Sequence, residues 1–279
     1  MSLRTLSTGW PCPHKNDVSW TSSTLPMVRS LIARIRTLVR RKQKARSLGF
    51  TFNRSATFTL PDQIIVTDRT IELHLPNEHG VRIAFIDILL DDCYRCTSLL
   101  KNGGSIRTIL DIGGNVGLFG LHARNVFKDA IVHVYEPNPL LHAFLSKHAA
   151  SARFEYFLEA VGISSGHVSV KFDRESVLTR TQSDANGSVP QISFRQAIDR
   201  LGGVIDLLKL DCEGEEWELF KDKDSWRYVK NLSMEYHLFE SWQTEQHVRN
   251  ALTDLGFFIT SFRPGRNFGL ITATRHSFA

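Results

Sequence analysis

The latter part of the chain alternates between short apolar runs and segments of helical period, and this alternation restricts its possible folds most strongly. Apolar runs predict strands at 108–112, 131–135, 154–161, 205–210 and 229–236. Helical periodicity predicts helices at 117–127, 139–149, from 215, and at 244–255. Such strands form a mostly parallel sheet covered on both faces, so we predict a doubly wound, Rossmann-like α/β fold. Two last strands, at 257–262 and 269–274, are joined by a turn too short for a parallel crossover, which predicts an antiparallel C-terminal strand.

A glycine-rich turn follows the first of these strands. The strand ends near Asp111, and the turn into the next helix reads Gly113-Gly114-Asn115-Val116-Gly117. The dinucleotide fingerprint G-x-G-x-x-G requires glycine where Asn115 stands, so a pyrophosphate cofactor such as NAD is disfavoured. The pattern D-x-G-x-N-x-G suits S-adenosylmethionine instead. We expect Asp111 to order the turn and reach the ligand's ammonium group directly or through water, while Gly113 and Gly117 admit the methionine part closely.

The second strand also ends in an acidic residue. Glu136 stands 19 positions after Gly117, about where an acid that binds ribose hydroxyls is expected. Pro137 and Asn138 follow it, and Asn138 is predicted to cap the next helix. Tyr135 and the turn that contains Ala160 are candidates for the adenine pocket. These residues complete the predicted cofactor-binding set.

Five segments, in chain order, resemble the FkbM family of methyltransferases: DIGGNVGLFG, YEPNP, EAVG, LLKLDCEGEEWEL and SMEYH. The resemblance extends over residues 105–275. It implies a class I methyltransferase fold, S-adenosylmethionine as cofactor and O-methylation of a sugar or natural-product hydroxyl. Cys212 departs from the pattern, because the family usually has valine there, and the arm before residue 50 lies outside it.

Two pairs of polar residues end the fourth and fifth strands and are the candidates for activating a methyl acceptor. Asp211 and Glu213 end one strand, and Glu235 and His237 end the other at the same spacing. A sugar hydroxyl is a weak nucleophile, so we predict that His237 or Asp211 acts as the base. Glu213 and Glu235 would then orient the acceptor or that base. Two alternatives stay open: Asp211 and Glu213 only cap the helix that follows, or Asp211, Glu213 and His237 bind a divalent ion, although we assign no metal.

The acceptor itself is expected to be a small molecule or a glycan. Residues 163–200 are predicted to lie over the cofactor pocket and to shape acceptor selection, since their Ser, Thr, Gln and Asn side chains suit a hydroxylated ligand.

Other functions of this fold agree less well with the sequence. Amino-group methyltransferases of nucleic acids carry Asn/Asp-Pro-Pro-aromatic after the fourth strand, whereas this chain has Asp211-Cys212-Glu213-Gly214. The Pro-Cys pair of cytosine methyltransferases occurs only as Pro11-Cys12 in the arm. We therefore expect no nucleic-acid partner. Methylation of nucleic acid or protein, an NAD-dependent oxidoreductase, and a non-catalytic domain recruited to membranes stay as alternatives.

The basic charge is confined to the N-terminal arm. Residues 1–61 hold eleven Lys or Arg and one acid, Asp17, while residues 62–279 carry a net charge of −5. Residues 1–24 lack periodicity and are predicted to be poorly ordered, and residues 27–46 predict a basic amphipathic helix. This helix could dock as a cap, lie on an anionic membrane surface, or belong to an organelle transit peptide.

We divide the chain into an arm (1–50), a lead-in segment (51–104) and the S-adenosylmethionine-binding domain (105–279). In the lead-in segment we predict a β-hairpin from strands at 70–75 and 81–86 and a helix at 86–100. Cys93 and Cys96 form an isolated C-x-x-C without the second pair that a zinc site needs. Buried thiols of this kind indicate a reducing compartment, and we expect a cytoplasmic protein.

Overall fold

The computed structural model describes residues 24–101, 105–172 and 175–275. The prediction for residues 1–24 therefore falls almost wholly outside the described part, as does Cys12. The chain divides into two compact units, Met1–Val39 and Arg40–Ala279. In the first unit, the described residues belong to helix α1, Thr24–Ser47, which confirms the amphipathic helix predicted at 27–46.

The second unit is built from thirteen strands and eight further α-helices within the described ranges. The strands are β1 (Gln63–Val66), β2 (Arg69–Glu72), β3 (Thr108–Ile112), β4 (Ile131–Tyr135), β5 (Glu155–Phe157), β6 (Ala160–Gly162), β7 (Gly166–Lys171), β8 (Arg180–Ser183), β9 (Val189–Ser193), β10 (Ile205–Leu210), β11 (Val229–His237), β12 (Phe258–Pro264) and β13 (Phe268–Thr274). The helices are α2 (His79–Phe85), α3 (Cys96–Lys101), α4 (Leu118–Val126), α5 (His142–Ala152), α6 (Phe194–Arg200), α7 (Glu216–Leu219), α8 (Lys223–Trp226) and α9 (Glu245–Asp254).

The central sheet has seven strands in the order β12-β13-β11-β10-β3-β4-β5. Strands β11, β10, β3, β4 and β5 are parallel, while β13 runs antiparallel to both of its neighbours. This arrangement confirms the predicted doubly wound α/β fold with an antiparallel C-terminal strand.

The register of the parallel strands brings their carboxyl ends to one edge. Ile112 at the end of β3 pairs with Leu210 of β10 and with Tyr135 of β4, and Leu210 pairs in turn with Met234 of β11. All six residues of β10 are buried, as expected of a central strand covered by helices on both faces. The polar residues that follow these strands therefore meet at one edge of the sheet.

The stretch after β5 departs from the predicted single strand at 154–161. The chain leaves the central sheet after Phe157, and β6 joins a separate sheet of order β6-β9-β7-β8. The other strands of this sheet, β7, β8 and β9, come from the stretch between β6 and α6. This smaller sheet places residues 176–181 beside the carboxyl edge of the central sheet.

In the lead-in segment the structure differs from two predictions. A hairpin is present, but it consists of β1 and β2, and residues 79–85 form helix α2 instead of a strand. The physical reason is burial: Val81 and Phe85 are fully buried while Ile83 is 45% exposed, and only a helix places positions four apart on one face with the middle one outside. The predicted helix at 86–100 is split into a π-helical turn, Ile86–Leu90, and α3.

Cys93 lies in the turn between these two helical segments and Cys96 begins α3; both are buried free thiols. No helix in the described ranges is both long enough and apolar enough to cross a membrane.

Candidate active site

A cleft opens at the carboxyl edge of the central sheet. Eight of the residues predicted for cofactor binding or catalysis line it: Gly113, Gly114, Asn115, Glu136, Pro137, Ala160, Asp211 and Glu213. Tyr135 lines it as well. The other predicted residues, Asp111, Gly117, Asn138, Glu235 and His237, lie around it but are not among its lining residues.

The glycine turn packs tightly against the end of β10. Gly113, Asn115 and Gly117 all have positive φ values, of 83°, 47° and 84°. A Cβ atom on Gly113 would lie 1.7 Å from the carbonyl oxygen of Asp211, so no other residue fits there without moving the backbone. Gly117 provides the left-handed cap of α4 and lies under Leu145 and Phe154, away from the cleft. The loop thus forms one wall of the cleft, and Gly117 lies on the side of the loop that faces away from the cleft.

Glu136 joins the two loops that follow β3 and β4. One carboxylate oxygen accepts the amide of Asn115 at 2.7 Å, and the other accepts the amide of Asn138 at 2.8 Å. Burial raises the pKa of Glu136 to about 7, although both amide hydrogen bonds act in the opposite direction. Asn138 caps the 3-10 turn after β4 by accepting the amide of Leu140, which confirms its predicted capping role. Each oxygen of Glu136 keeps a lone pair for a ligand in the cleft.

Asp111 is fully buried beneath the glycine turn. Its carboxylate pairs with the ammonium group of Lys209 at 3.0 Å, and Lys209 also donates to the carbonyl of Gly113. Burial by itself would lower the pKa of Lys209, but the charges of Asp111 and Asp211 outweigh it and raise that pKa. Among the described residues, neither oxygen of Asp111 has a hydrogen-bond partner of good geometry, although one of them is held by the ion pair. Asp111 is therefore connected to the glycine turn indirectly: it pairs with Lys209, and Lys209 donates to the carbonyl of Gly113.

Asp211 is held by two neighbours. One carboxylate oxygen accepts the hydroxyl of the buried Tyr94 at 2.8 Å and lies 3.7 Å from the ammonium of Lys209. Burial, followed by the charge of Asp211, raises the pKa of Tyr94 well above its usual value, so this hydroxyl stays a donor. Both contacts are made by the same carboxylate oxygen, Oδ2.

His237 lies at the end of β11 with its ring between carboxylates. Its Nδ1 is 3.2 Å from the fully buried Glu216, which also accepts the amide of His237 at 2.6 Å. Its Nε2 faces Glu235 at 3.5 Å and Glu213 at 3.6 Å. Burial opposes protonation, but hydrogen bonds and charges from these acids raise the pKa of His237 to about 11. The ring is therefore an imidazolium at neutral pH.

The carboxyl group of Glu213 lines the cleft and has a pKa near neutral pH. Burial raises the pKa of Glu213 to about 7; His237 lowers it, while Asp211 and Glu235 raise it. Glu235 also has a raised pKa, caused first by burial and then by Asp211. Glu213 has a positive φ of 52° and precedes a glycine, so the backbone turns sharply here and directs this segment toward the cleft.

Another part of the cleft wall comes from two stretches that are distant in the sequence. Ser176, Val177, Thr179 and Thr181 belong to the segment predicted to lie over the pocket, and Ala84 and Ile88 come from α2 and its π-helical extension. Two hydrogen bonds tie the stretches together: the amide of Gly80 donates to Glu175 at 2.5 Å, and the amide of Ser176 donates to Glu78 at 2.6 Å. The amide group of Asn115 also reaches the hydroxyl of Ser176 at 3.3 Å.

Three residues that hold the site in place were not predicted from the sequence. Lys209 lies within a segment that resembles the FkbM family, but its partner Asp111 is nearly a hundred positions away. Tyr94 and Glu216 likewise act through distant partners. A lysine inside an otherwise apolar strand was the available signal, because a buried ammonium requires carboxylates nearby.

The strand order with its antiparallel β13, and the glycine turn at the carboxyl edge, define a class I methyltransferase fold. The sequence pattern of the Methyltransferase FkbM domain matches residues 111–259, so the chain belongs to the FkbM family of methyltransferases.

Two curated proteins and one solved structure illustrate its similarities. Methyltransferase sdnD of Sordaria araneosa is 26% identical, covering 76% of this chain and 96% of that protein. Methyltransferase 1 of Beauveria bassiana is 22% identical, covering 64% and 81%. The fibrillarin of Aeropyrum pernix, solved with bound S-adenosyl-L-methionine, has 14% identity and a TM-score of 0.41 over 65% of this chain and 75% of that one.

The cofactor of this methyltransferase is S-adenosylmethionine, and the residues of the cleft fit it. The glycine turn offers a wall without side chains at Gly113 and Gly114, where the cofactor's methionine part can approach the backbone. Glu136 offers carboxylate lone pairs at the end of β4, and Ala160 and Val161 offer an apolar surface for a base. The buried oxygens of Asp111 lie beneath the loop without well-directed donors, as expected if an ammonium group or a water completes their environment.

Proposed function

We propose that the protein transfers a methyl group to a hydroxyl oxygen of a sugar, a glycolipid or another hydroxylated natural product. The observation that carries this proposal is the position of Glu213: its carboxyl group lines the cofactor cleft, and its pKa of about 7 is suited to taking a proton at neutral pH. Amine acceptors need no such base once they are neutral, whereas a hydroxyl gains from one as its oxygen attacks.

The cofactor supplies an electrophilic sulfonium methyl group, and the chain's residues align the acceptor with it. Glu136 is proposed to hold the ribose hydroxyls, and Gly113, Gly114 and Asn115 to enclose the methionine part. Pro137 and Ala160 would border the adenine. Alignment and exclusion of water supply much of the acceleration in a displacement of this kind.

Proton transfer is assigned to Glu213 in preference to His237 and Asp211. His237 is surrounded by Glu213, Glu216 and Glu235 and holds its proton to a pKa of about 11, so it has no free lone pair for a base. The Oδ2 atom of Asp211 already accepts the Tyr94 hydroxyl and faces the Lys209 ammonium. As the methyl group moves from the cofactor's sulfur to the acceptor oxygen, leaving S-adenosylhomocysteine, the hydroxyl proton would pass to the carboxylate of Glu213. His237 then acts as a positioning residue that keeps Glu213 and Glu235 in place.

The divalent ion considered from the sequence fits these surroundings less well. Ligand atoms of Asp211, Glu213 and His237 do lie within 4.8 Å of one another. A metal requires the neutral imidazole, however, and the buried Glu216 beneath the ring favours the imidazolium. We therefore propose proton transfer without a metal.

The test begins with calorimetric titration of the purified chain with S-adenosylhomocysteine, using NAD as the negative ligand. Glu136→Gln should weaken binding by about tenfold or more, because it removes the charge that accepts two hydroxyls. Glu155→Gln is the matched control, since this acid lies on the neighbouring strand β5, is exposed and does not line the cleft.

Isotope-labelled methyl transfer to a panel of glycosides, polyols, phenols and amines then identifies the acceptor atom by NMR. Methoxy products support the proposal. Methylation confined to the amines would refute the hydroxyl assignment while leaving the cofactor assignment intact.

A further inference from the structure

The first unit presents an apolar stripe on helix α1. Leu31, Ile32, Ile35 and Val39 are between 43% and 57% exposed. At 3.6 residues per turn these four side chains fall within a sector of about 100° on one side of the helix. Four aliphatic side chains on one helical face, each about half exposed, form a surface suited to an apolar environment.

Basic residues border this stripe, and the helix contains no acidic residue. The segment Thr24–Ser47 has eight Lys or Arg and no Asp or Glu. On the helical wheel Arg34 flanks one edge of the stripe and Arg36 the other, and both are exposed. Side chains of this length can extend beside an apolar face and place their charges at its border.

The C-terminal end of the helix is fixed within the second unit. The guanidinium of Arg41 makes a bidentate contact with the carboxylate of Asp91, with N···O distances of 2.9 and 2.5 Å, and Arg40 contacts the same carboxylate. Ala45 is buried close by in the chain. Arg34 and Arg36, which precede Arg40, have no such acidic partner among the described residues.

From this stripe and its charged borders we propose that α1 binds an anionic lipid surface, with Leu31 and Ile35 inserted below the headgroups and Arg34 and Arg36 among the lipid phosphates or carboxylates. The arrangement is that of an interfacial helix: an apolar face, a strongly basic border and low overall hydropathy. A second copy of the chain fits less well, since two such helices would repel each other. The segment 1–23 has a small positive charge and offers no charge complement either.

The test is co-sedimentation of the full chain with phosphatidylcholine vesicles, with and without phosphatidylserine, over a series of salt concentrations. We expect binding only to the anionic vesicles, weakened as salt rises. The double variant Leu31→Glu/Ile35→Glu should lower the partition coefficient by about tenfold or more, because each change removes an inserted aliphatic side chain. Ile131→Glu is the matched control: Ile131 is 57% exposed, as Leu31 is, but begins strand β4.

Circular dichroism and size-exclusion chromatography of each variant complete the design. Equal binding to neutral vesicles, no binding to anionic vesicles at low salt, or full binding by the double variant would each overturn the proposal. A dimer that the double variant dissociates would assign the stripe to a second copy and overturn it too. So would recovery from cells of a chain cleaved after α1, which would indicate a transit peptide.

Discussion

Neutralising Glu213 is expected to make the protein more stable and at the same time much less active. In the folded chain the pKa of Glu213 is about 7, against an ordinary value of 4.5. Between these two pH values the folded protein keeps a proton that the unfolded chain has lost, so stability falls as pH rises through this window. At about 1.4 kcal/mol for each pH unit between the two values, the cost is about 3 kcal/mol above pH 7.

Glu213→Gln removes that cost, because an amide does not ionise. At pH 8 the variant should unfold about 6–10 °C above the unchanged protein, given the usual relation between free energy and melting temperature for a chain of this size. Below pH 4.5 the two proteins should melt together, since both side chains are then neutral. Differential scanning calorimetry over pH 4–8 measures this directly and requires no acceptor.

The same variant should lose about 10²- to 10⁴-fold in kcat/KM, the usual contribution of a general base. In the unchanged protein, kcat/KM for the acceptor, measured at saturating S-adenosylmethionine so that titration of Glu136 does not contribute, should rise with pH and level off above about 7, and Glu213→Gln should remove that rise. Glu235→Gln is the matched control: Glu235 also faces His237, but it does not line the cleft. In Glu235→Gln, kcat/KM should still rise with pH, but the rise should occur at lower pH, because the charge of Glu235 raises the pKa of Glu213.

Near-normal activity of Glu213→Gln with an unchanged pH profile would refute the assignment of the base. A lower melting temperature at pH 8 would show that the carboxylate is stabilised by His237 more than it is penalised by burial.

Four further outcomes are expected. Lys209→Met should destabilise the fold by about 3–5 kcal/mol in urea unfolding, since it leaves the buried Asp111 without its cation; adding Asp111→Leu should recover part of the loss, and an additive double variant would contradict the pairing. Gly113→Ala should abolish S-adenosylhomocysteine binding in calorimetry, because its Cβ has no room beside the Asp211 carbonyl, and retained affinity would show that the loop moves freely. Chelation by EDTA should leave the methyl-transfer rate unchanged, whereas loss of activity restored by Mg²⁺ or Mn²⁺ would favour the metal alternative. Cys93 and Cys96, whose pKa values burial raises well above normal, should resist alkylation at pH 8 until the protein unfolds, as followed by peptide mass spectrometry.

The sequence was most informative where function depends on neighbours in the chain. The glycine turn, Glu136 and the cap at Asn138 were predicted because their spacing follows from a strand, a turn and a helix in succession. The paired acids at 211 and 213 and at 235 and 237 were placed at one edge by the rule that parallel strands end together.

The sequence could not indicate protonation states that depend on contacts between residues far apart in the chain. The prediction of His237 or Asp211 as the base took no account of Glu216, whose carboxylate contacts His237 only because α7 packs against the end of β11. The hairpin error has a different origin: Val81, Ile83 and Phe85 alternate as a strand would, and only the exposure of Ile83 separates the helix from the strand.

The paired hydrogen bonds between residues 78–80 and 175–176 have a consequence for how acceptor preference could change. Because each stretch contributes a backbone amide and a carboxylate to the other, the two cannot move independently. A substitution in one alters the shape that the other presents, even though about 95 positions of sequence separate them. Libraries that vary only residues 175–181 would explore a narrow range of shapes imposed by the unchanged α2. Redesign of the acceptor preference would gain more from varying both stretches together. During evolution, substitutions in one stretch are expected to be accompanied by substitutions in the other.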